Sequence, residues 1–235
     1  MSVFVDIIEE GTKQPTSDGN NNFSRLTFDR KSSGFQANVG DETIIKGRPL
    51  KNATINGVTE GDEDIVNIKL KNNAITFSEF NVEGGGGLNL EVKMKGGNPT
   101  NKGESIFAKN TVTGSDTNDS IKFVKSRFFG NEIDLKEGAD TIKFGNQTKL
   151  LGKNVIKLGD TIDGDGNIVS DGDRDVVKIN SFHEDGQDGD RAKLRITEFG
   201  KEDTLIINGT VMSYDDAKQY QIDNPEDYIQ IEFLD

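Results

Sequence analysis

The sequence has no cysteine and no tryptophan, one histidine and only 4 prolines. Without cysteine there can be no disulfide and no thiolate metal site, and nothing indicates the redox state of the surroundings. The one histidine, His183, supplies too few nitrogen ligands for a zinc site. It stands before Glu184 and Asp185, yet no nucleophile elbow or oxyanion-hole motif goes with it, so an exposed loop position is expected. Carboxylates are plentiful enough for the paired acids of a glycosidase. What is missing is an aromatic platform for a sugar ring, since the three tyrosines, Tyr214, Tyr220 and Tyr228, all fall near the C-terminus. The sequence therefore predicts no catalytic residues and no enzyme, with a polysaccharide-degrading β-helix as the less favoured alternative.

Apolar residues are scarce too. They make up 32% of the 235 residues, too few for a wide globular core but enough for a thin stacked one. No run approaches membrane length. The opening MSVFVDIIEEG lacks the basic region and apolar stretch of a signal peptide, so none is expected. Positive charge is also in deficit, with Asp+Glu 41 against Lys+Arg 28 and a net charge of −13. Such a surface repels phosphate backbones and anionic lipids, which makes nucleic acid and membranes poor partners and cations good ones.

What is abundant is glycine, 27 residues of it, and with so little proline this suggests many tight turns between short strands. Repeatedly an Asp is followed two residues later by an aliphatic residue, as at Asp64/Val66, Asp119/Ile121, Asp140/Ile142, Asp160/Ile162, Asp175/Val177 and Asp203/Leu205. Short alternating runs usually follow, as in Ile121-Lys-Phe123, Ile142-Lys-Phe144 and Val177-Lys-Ile179. Two related runs begin with Asn131 and Asn154. Alternation of this kind marks a strand with one face in and one out. The inward pairs from Ile121 recur at Ile133, Ile142, Ile156 and Val177, at uneven spacings of 12, 9, 14 and 21 residues. A propeller or leucine-rich array would be more regular, whereas a parallel β-helix tolerates uneven loops. The expected fold is all-β, a right-handed parallel β-helix in a single domain. Residues 1–39 are assigned to an N-terminal cap, 40–210 to coils, and 211–235 to a C-terminal cap of a short helix near Ser213–Tyr220 and a closing strand. Phe123, Phe144 and Phe128-Phe129 are expected in the core, and Lys122, Lys143, Lys157 and Lys178 on a solvated strand face.

The segment 159–190 holds ten acidic residues and two basic ones, so it carries −8 of the total charge. Folding it compactly stores repulsion that a hard divalent cation with oxygen ligands would offset. Asp163-Gly-Asp165-Gly-Asn167 and Asp171-Gly-Asp173-Arg-Asp175 alternate oxygen side chains with small or turn-compatible residues, a pattern suited to calcium. It is not an EF-hand, because Arg174 stands where the bidentate Glu would be. The predicted calcium ligands are Asp140, Asp160, Asp163, Asp165, Asn167, Asp171, Asp173, Asp175, Asp185, Asp188 and Asp190. Solvated turn aspartates are the alternative.

Gly138-Ala-Asp140-Thr-Ile142 and Gly172-Asp-Arg-Asp175-Val-Val177 resemble the second half of the nonapeptide calcium repeat of hemolysin-type (RTX) proteins, though without the Gly-Gly pair. Ile196-Thr-Glu-Phe199 leading to Asp203-Thr-Leu205 is similar to the segment that often follows those repeats. With Lys51 to Gly57 and Gly61 to Val66, most of residues 40–210 resembles the degenerate calcium-repeat β-helices of structural proteins in marine cyanobacterial phages. The resemblance implies a calcium-stabilised, non-enzymatic virion component, whose partners would be calcium ions, other virion proteins or further copies. The alternative is an RTX-type secreted calcium-binding module or adhesin. The implied location is a virion or the extracellular space.

Overall fold

The computed structural model describes residues 3–8, 23–28, 32–33, 36–47, 50–51, 54–58, 65–71, 75–76, 79–83, 86–93, 106–145, 148–162, 168–170, 172–180, 193–225 and 227–234. Short strands dominate, and three parallel ladders account for nearly all of them. The first runs through Val3–Ile8, Phe23–Phe28, Gln36–Gly47, Ile65–Lys71, Gly87–Lys93, Ser120–Val124, Thr141–Phe144, Val176–Ile179 and Thr204–Ile207. The second leaves the N-terminal half of Gln36–Gly47 and continues through Thr54–Val58, Glu79–Glu83, Thr111–Thr113, Glu132–Asp134, Lys153–Lys157, Lys193–Phe199 and Ile229–Phe233. The third is narrower and joins Ser32–Ser33, Leu50–Lys51, Ile75–Thr76, Ile106–Ala108, Arg127–Phe129 and Lys149–Leu151. Between Gly87 and Lys157 the chain visits them in the repeating order first, third, second.

This order explains the uneven spacing of the inward residues, because two ladders are interleaved in one sequence. Ile121, Ile142, Val177 and Leu205 are neighbours in the first ladder, while Ile133, Ile156 and Ile196 are neighbours in the second. The Asp160/Ile162 pair departs from the expected repeat. Asp160–Ile162 pairs antiparallel with Ile168–Ser170, and the place after Thr141–Phe144 in the first ladder is taken by Val176–Ile179. Asp64 lies outside the described residues.

The alternation places side chains as expected. Ile121, Phe123, Ile142 and Phe144 are all buried, as is Phe128, whereas Phe129 is half-buried. The buried residues of the three ladders form one continuous cluster. At its centre, Phe80, Phe107, Phe123, Phe128 and Phe144 make a chain of ring contacts with centroids 4.6–5.9 Å apart. Fully burying one such ring contributes about 1.5–3 kcal/mol. The stack thus supplies much of the cohesion in a chain poor in apolar residues.

The corner between the third and second ladders is very tight. Its leading residue is Lys109, Gly130 or Gly152, with φ of 54°, 61° and 61°. Glycine adopts this left-handed backbone without steric cost. At Gly152 a Cβ would also lie 2.6 Å from the Phe129 ring.

Thr204–Ile207 turns back on Thr210–Met212 through Asn208-Gly209, both at positive φ, the geometry of a two-residue hairpin. Next comes the only helix among the described residues, α1 (Tyr214–Asp223). Ser213 caps it, accepting a hydrogen bond from the Asp216 backbone while Asp216 reaches back to the Ser213 N–H. The helix lies against the last strands. Gln221 Oε1 accepts the Ile231 N–H at 2.6 Å, and the Tyr214 hydroxyl donates to the Leu234 carbonyl at 2.7 Å. The short helix and closing strand are therefore present as the sequence predicts.

Candidate functional site

The most distinctive chemistry is two files of buried polar side chains, one at each of two corners. Asp119, Asp140, Asp175 and Asp203 immediately precede successive strands of the first ladder and are no more than 4% exposed. Each carboxylate holds the backbone of the preceding pass. Asp119 Oδ1 accepts the Leu88 N–H at 2.6 Å, and Asp140 Oδ1 accepts that of Asp119 at 2.6 Å. Asp175 Oδ1 accepts the Asp140 N–H at 2.7 Å, and Asp203 Oδ1 that of Asp175 at 2.9 Å. The carbonyls of Asp119, Asp140 and Asp175 in turn accept from Thr141, Val176 and Thr204, each at 2.9 Å, so the three joins between aspartates are two-sided.

The second file precedes the strands of the second ladder. Asn131 Oδ1 accepts the Asn110 N–H at 3.0 Å, and Asn154 Oδ1 accepts that of Asn131 at 2.9 Å. What differs is the other half of each side chain. The amide groups of Asn110 and Asn131 donate to the carbonyls of Ile75 (3.1 Å) and Phe107 (2.9 Å) in the third ladder, and that of Asn154 donates to the Leu151 carbonyl at 3.1 Å. The second oxygens of Asp119 and Asp203 instead accept backbone N–H groups from their own turns, Ser115 at 2.9 Å and Gly200 at 2.7 Å. At Asp119 and Asp203 two N–H donors converge and the residue is Asp, whereas at Asn131 and Asn154 one N–H and one C=O converge and the residue is Asn. Gly114 makes room for this at Asp119, where a Cβ would fall 1.9 Å from Oδ2.

Stacking carboxylates at strand spacing is costly. Unit charges about 4.8 Å apart repel by on the order of 3 kcal/mol at an effective dielectric of about 20. Burial pushes the Asp119 carboxyl up to about 6 from 3.8, against the opposing pull of the Leu88 and Ser115 N–H groups, the Ser115 hydroxyl and the Lys136 charge.

Of the predicted calcium ligands, Asp140 and Asp175 belong to this file, their Oδ1 atoms engaged by backbone N–H groups. Asp173 is exposed in the turn before Val176–Ile179, and Asp160 begins the antiparallel hairpin. Asp163, Asp165, Asn167, Asp171, Asp185, Asp188 and Asp190 lie outside the described residues, as does His183. Among the described residues, no three His, Cys, Asp or Glu side chains come together as a metal-holding group.

An open cleft of about 330 Å³ brings together Asp116, Asp134, Glu137 and Glu198 with Lys136 and Lys157. Of these, only Lys157 stands out in the sequence. Lys136 pairs with Asp116 at 3.5 Å, and Lys157 with Glu132 at 2.9 Å and Asp134 at 3.8 Å. The Glu132 hydrogen bond holds Lys157 above the usual lysine range despite the opposing effect of burial. Four carboxylates thus face two ammonium groups, which leaves the cleft acidic.

Also missed in the sequence is Asn110. The sequence signal for it is the pattern Asn-x-aliphatic, which it shares as Asn110-Thr-Val112 with the Asn131 run. No helix among the described residues is long and apolar enough to cross a membrane. Comparisons with protein-family models, with curated proteins and with solved structures found no match to this chain.

Proposed function

We propose that the chain is a non-enzymatic structural protein, a calcium-stabilised right-handed parallel β-helix that serves as a component of a phage virion. The observation that carries this reading is the pair of corner files. Their carboxylates and amides bind backbone groups of adjacent passes, so buried polar groups among the described residues help hold the stack together. Three parallel ladders visited in a fixed order, packed on one apolar cluster, support a coil that closes on itself. The phage assignment rests on the resemblance of the repeats to virion β-helices.

Calcium belongs to the same reading. Residues 159–190 carry −8, and the pairing of Ile162 with Ile168 leaves the five residues 163–167, with their two Asp and one Asn, to connect the hairpin strands. Calcium bound there holds only the folded chain, so its binding energy becomes folding energy. At free calcium one hundred times the dissociation constant, one site adds about 2.7 kcal/mol. Thermal melts in calcium and in chelator, paired with titration calorimetry, test this. A higher melting temperature in calcium, diminished by Asp163→Asn with Asp165→Asn, supports it, and identical melts with no heat of binding reject the ion. The genomic neighbours test the setting. Capsid and tail genes support the virion, whereas a type I exporter gene points to a secreted module.

A further inference from the structure

Charge is distributed very unevenly over the first ladder. Strand register aligns Lys69, Glu91, Lys122, Lys143 and Lys178 in one column across consecutive passes. Two positions along the same strands, Lys46, Lys71 and Lys93 form a second column. Positions two apart on a strand share a face, so both columns belong to one side of the sheet. In the described strands Ser120–Val124, Thr141–Phe144 and Val176–Ile179, the residues between the column positions are buried and the lysines half-buried. Glu91, which meets Lys122 at 3.4 Å, is the one acid in the two columns. Seven lysines thus stand against one glutamate in a chain whose net charge is −13.

We propose that this face binds a linear acidic polysaccharide laid along the stack, perpendicular to the strands. The columns repeat at the strand spacing of about 4.8 Å. A glycan with one carboxylate or sulfate on every sugar presents its charges at a similar interval, so successive anions meet successive passes. A row that spans several consecutive passes suits a polymer rather than a small anion. The ammonium groups act as point charges on flexible stems, so they give affinity for a class of polyanion without selecting one sugar. Ser120 and Thr141, neighbours in the adjacent column of the same face, add hydroxyls for the sugar ring. The interaction involves no bond cleavage and does not depend on calcium.

The test uses the full chain in chelator at low ionic strength, with polygalacturonate as the probe and neutral dextran as the control. Chelator keeps calcium from bridging protein and polymer carboxylates, so the outcome is separate from that of the calcium site. Binding to polygalacturonate alone is expected, and it should fall as salt is raised. Lys143→Gln with Lys178→Gln should weaken it about tenfold or more, given the charge lost at each position. The control pair Lys153→Gln with Lys201→Gln, exposed outside these columns, should leave it unchanged, with melts confirming that both variants fold. Equal binding to dextran, or full binding by the Lys143/Lys178 variant, overturns the proposal. Tighter binding of oligothymidylate than of polygalacturonate assigns the face to nucleic acid and also overturns it. Self-association without polymer, abolished by the same two substitutions, does so in favour of a second copy.

Discussion

Asp119 sits where the preceding pass carries Leu88, and its carboxyl is the first of the aspartate file. Because the folded state holds its proton more tightly than the unfolded chain, its contribution to stability is full below pH 3.8 and is lost as pH rises through about 6. The stability difference between wild type and Asp119→Asn should therefore grow by about 2 kcal/mol from pH 7.5 to 4.5 in urea melts, other carboxylates cancelling in the comparison. A difference flat with pH would show that the carboxyl titrates normally. Asn131 gives the complementary test. Asn131→Ala leaves the Asn110 N–H and the Phe107 carbonyl without their partner, at about 1–3 kcal/mol each. Asn131→Asp should be no milder, since a carboxylate can accept from Asn110 but cannot donate to Phe107. The choice between Asp and Asn was half legible. The recurrent Asp and Asn before alternating runs stand out in the sequence, but they suggest calcium or turns. That they hold backbone groups of another pass depends on contacts spanning 21 to 35 residues, which no local pattern carries.

At the scale of strands and helix, alternation was the strongest guide. It correctly puts Ile121, Phe123, Ile142 and Phe144 on one inward face, because burial on one side of a sheet fixes a period of two. Phe144 touches both Phe123 and Phe128, so Phe144→Ala should cost about 3–5 kcal/mol, seen as a lower denaturation midpoint with little change in slope. The third ladder escaped sequence analysis because its strands are two or three residues long, too short to show a period. Asp160 misled for a related reason. Asp-x-aliphatic fits a hairpin strand as well as a ladder strand, and only the pairing with Ser170 separates them. The C-terminal helix was read near Ser213–Tyr220, its capping box appears only in the structure, and Ser213→Ala should lower stability by about 1 kcal/mol in the same assay.

For the molecule as a whole, the register makes each pass depend mainly on its two neighbours, as in repeat proteins. Hydrogen exchange should then be slowest through the Phe107–Phe144 stack and faster toward the ends of the ladders. Uniform protection along the chain would contradict this. The aspartate file also has a direction. In every join the carboxylate belongs to the later pass and the amide to the earlier one. A chain emerging from its N-terminus therefore always ends, for the moment, in an amide whose acceptor has not yet been made. Only at Asp203 is this debt settled locally, its N–H turning to the Gly200 carbonyl 3.3 Å away within its own turn. Asp203 is thus a full stop written into the chain. A protein cut short at any earlier aspartate would end mid-sentence, its last pass left with an amide whose carboxylate acceptor was never made.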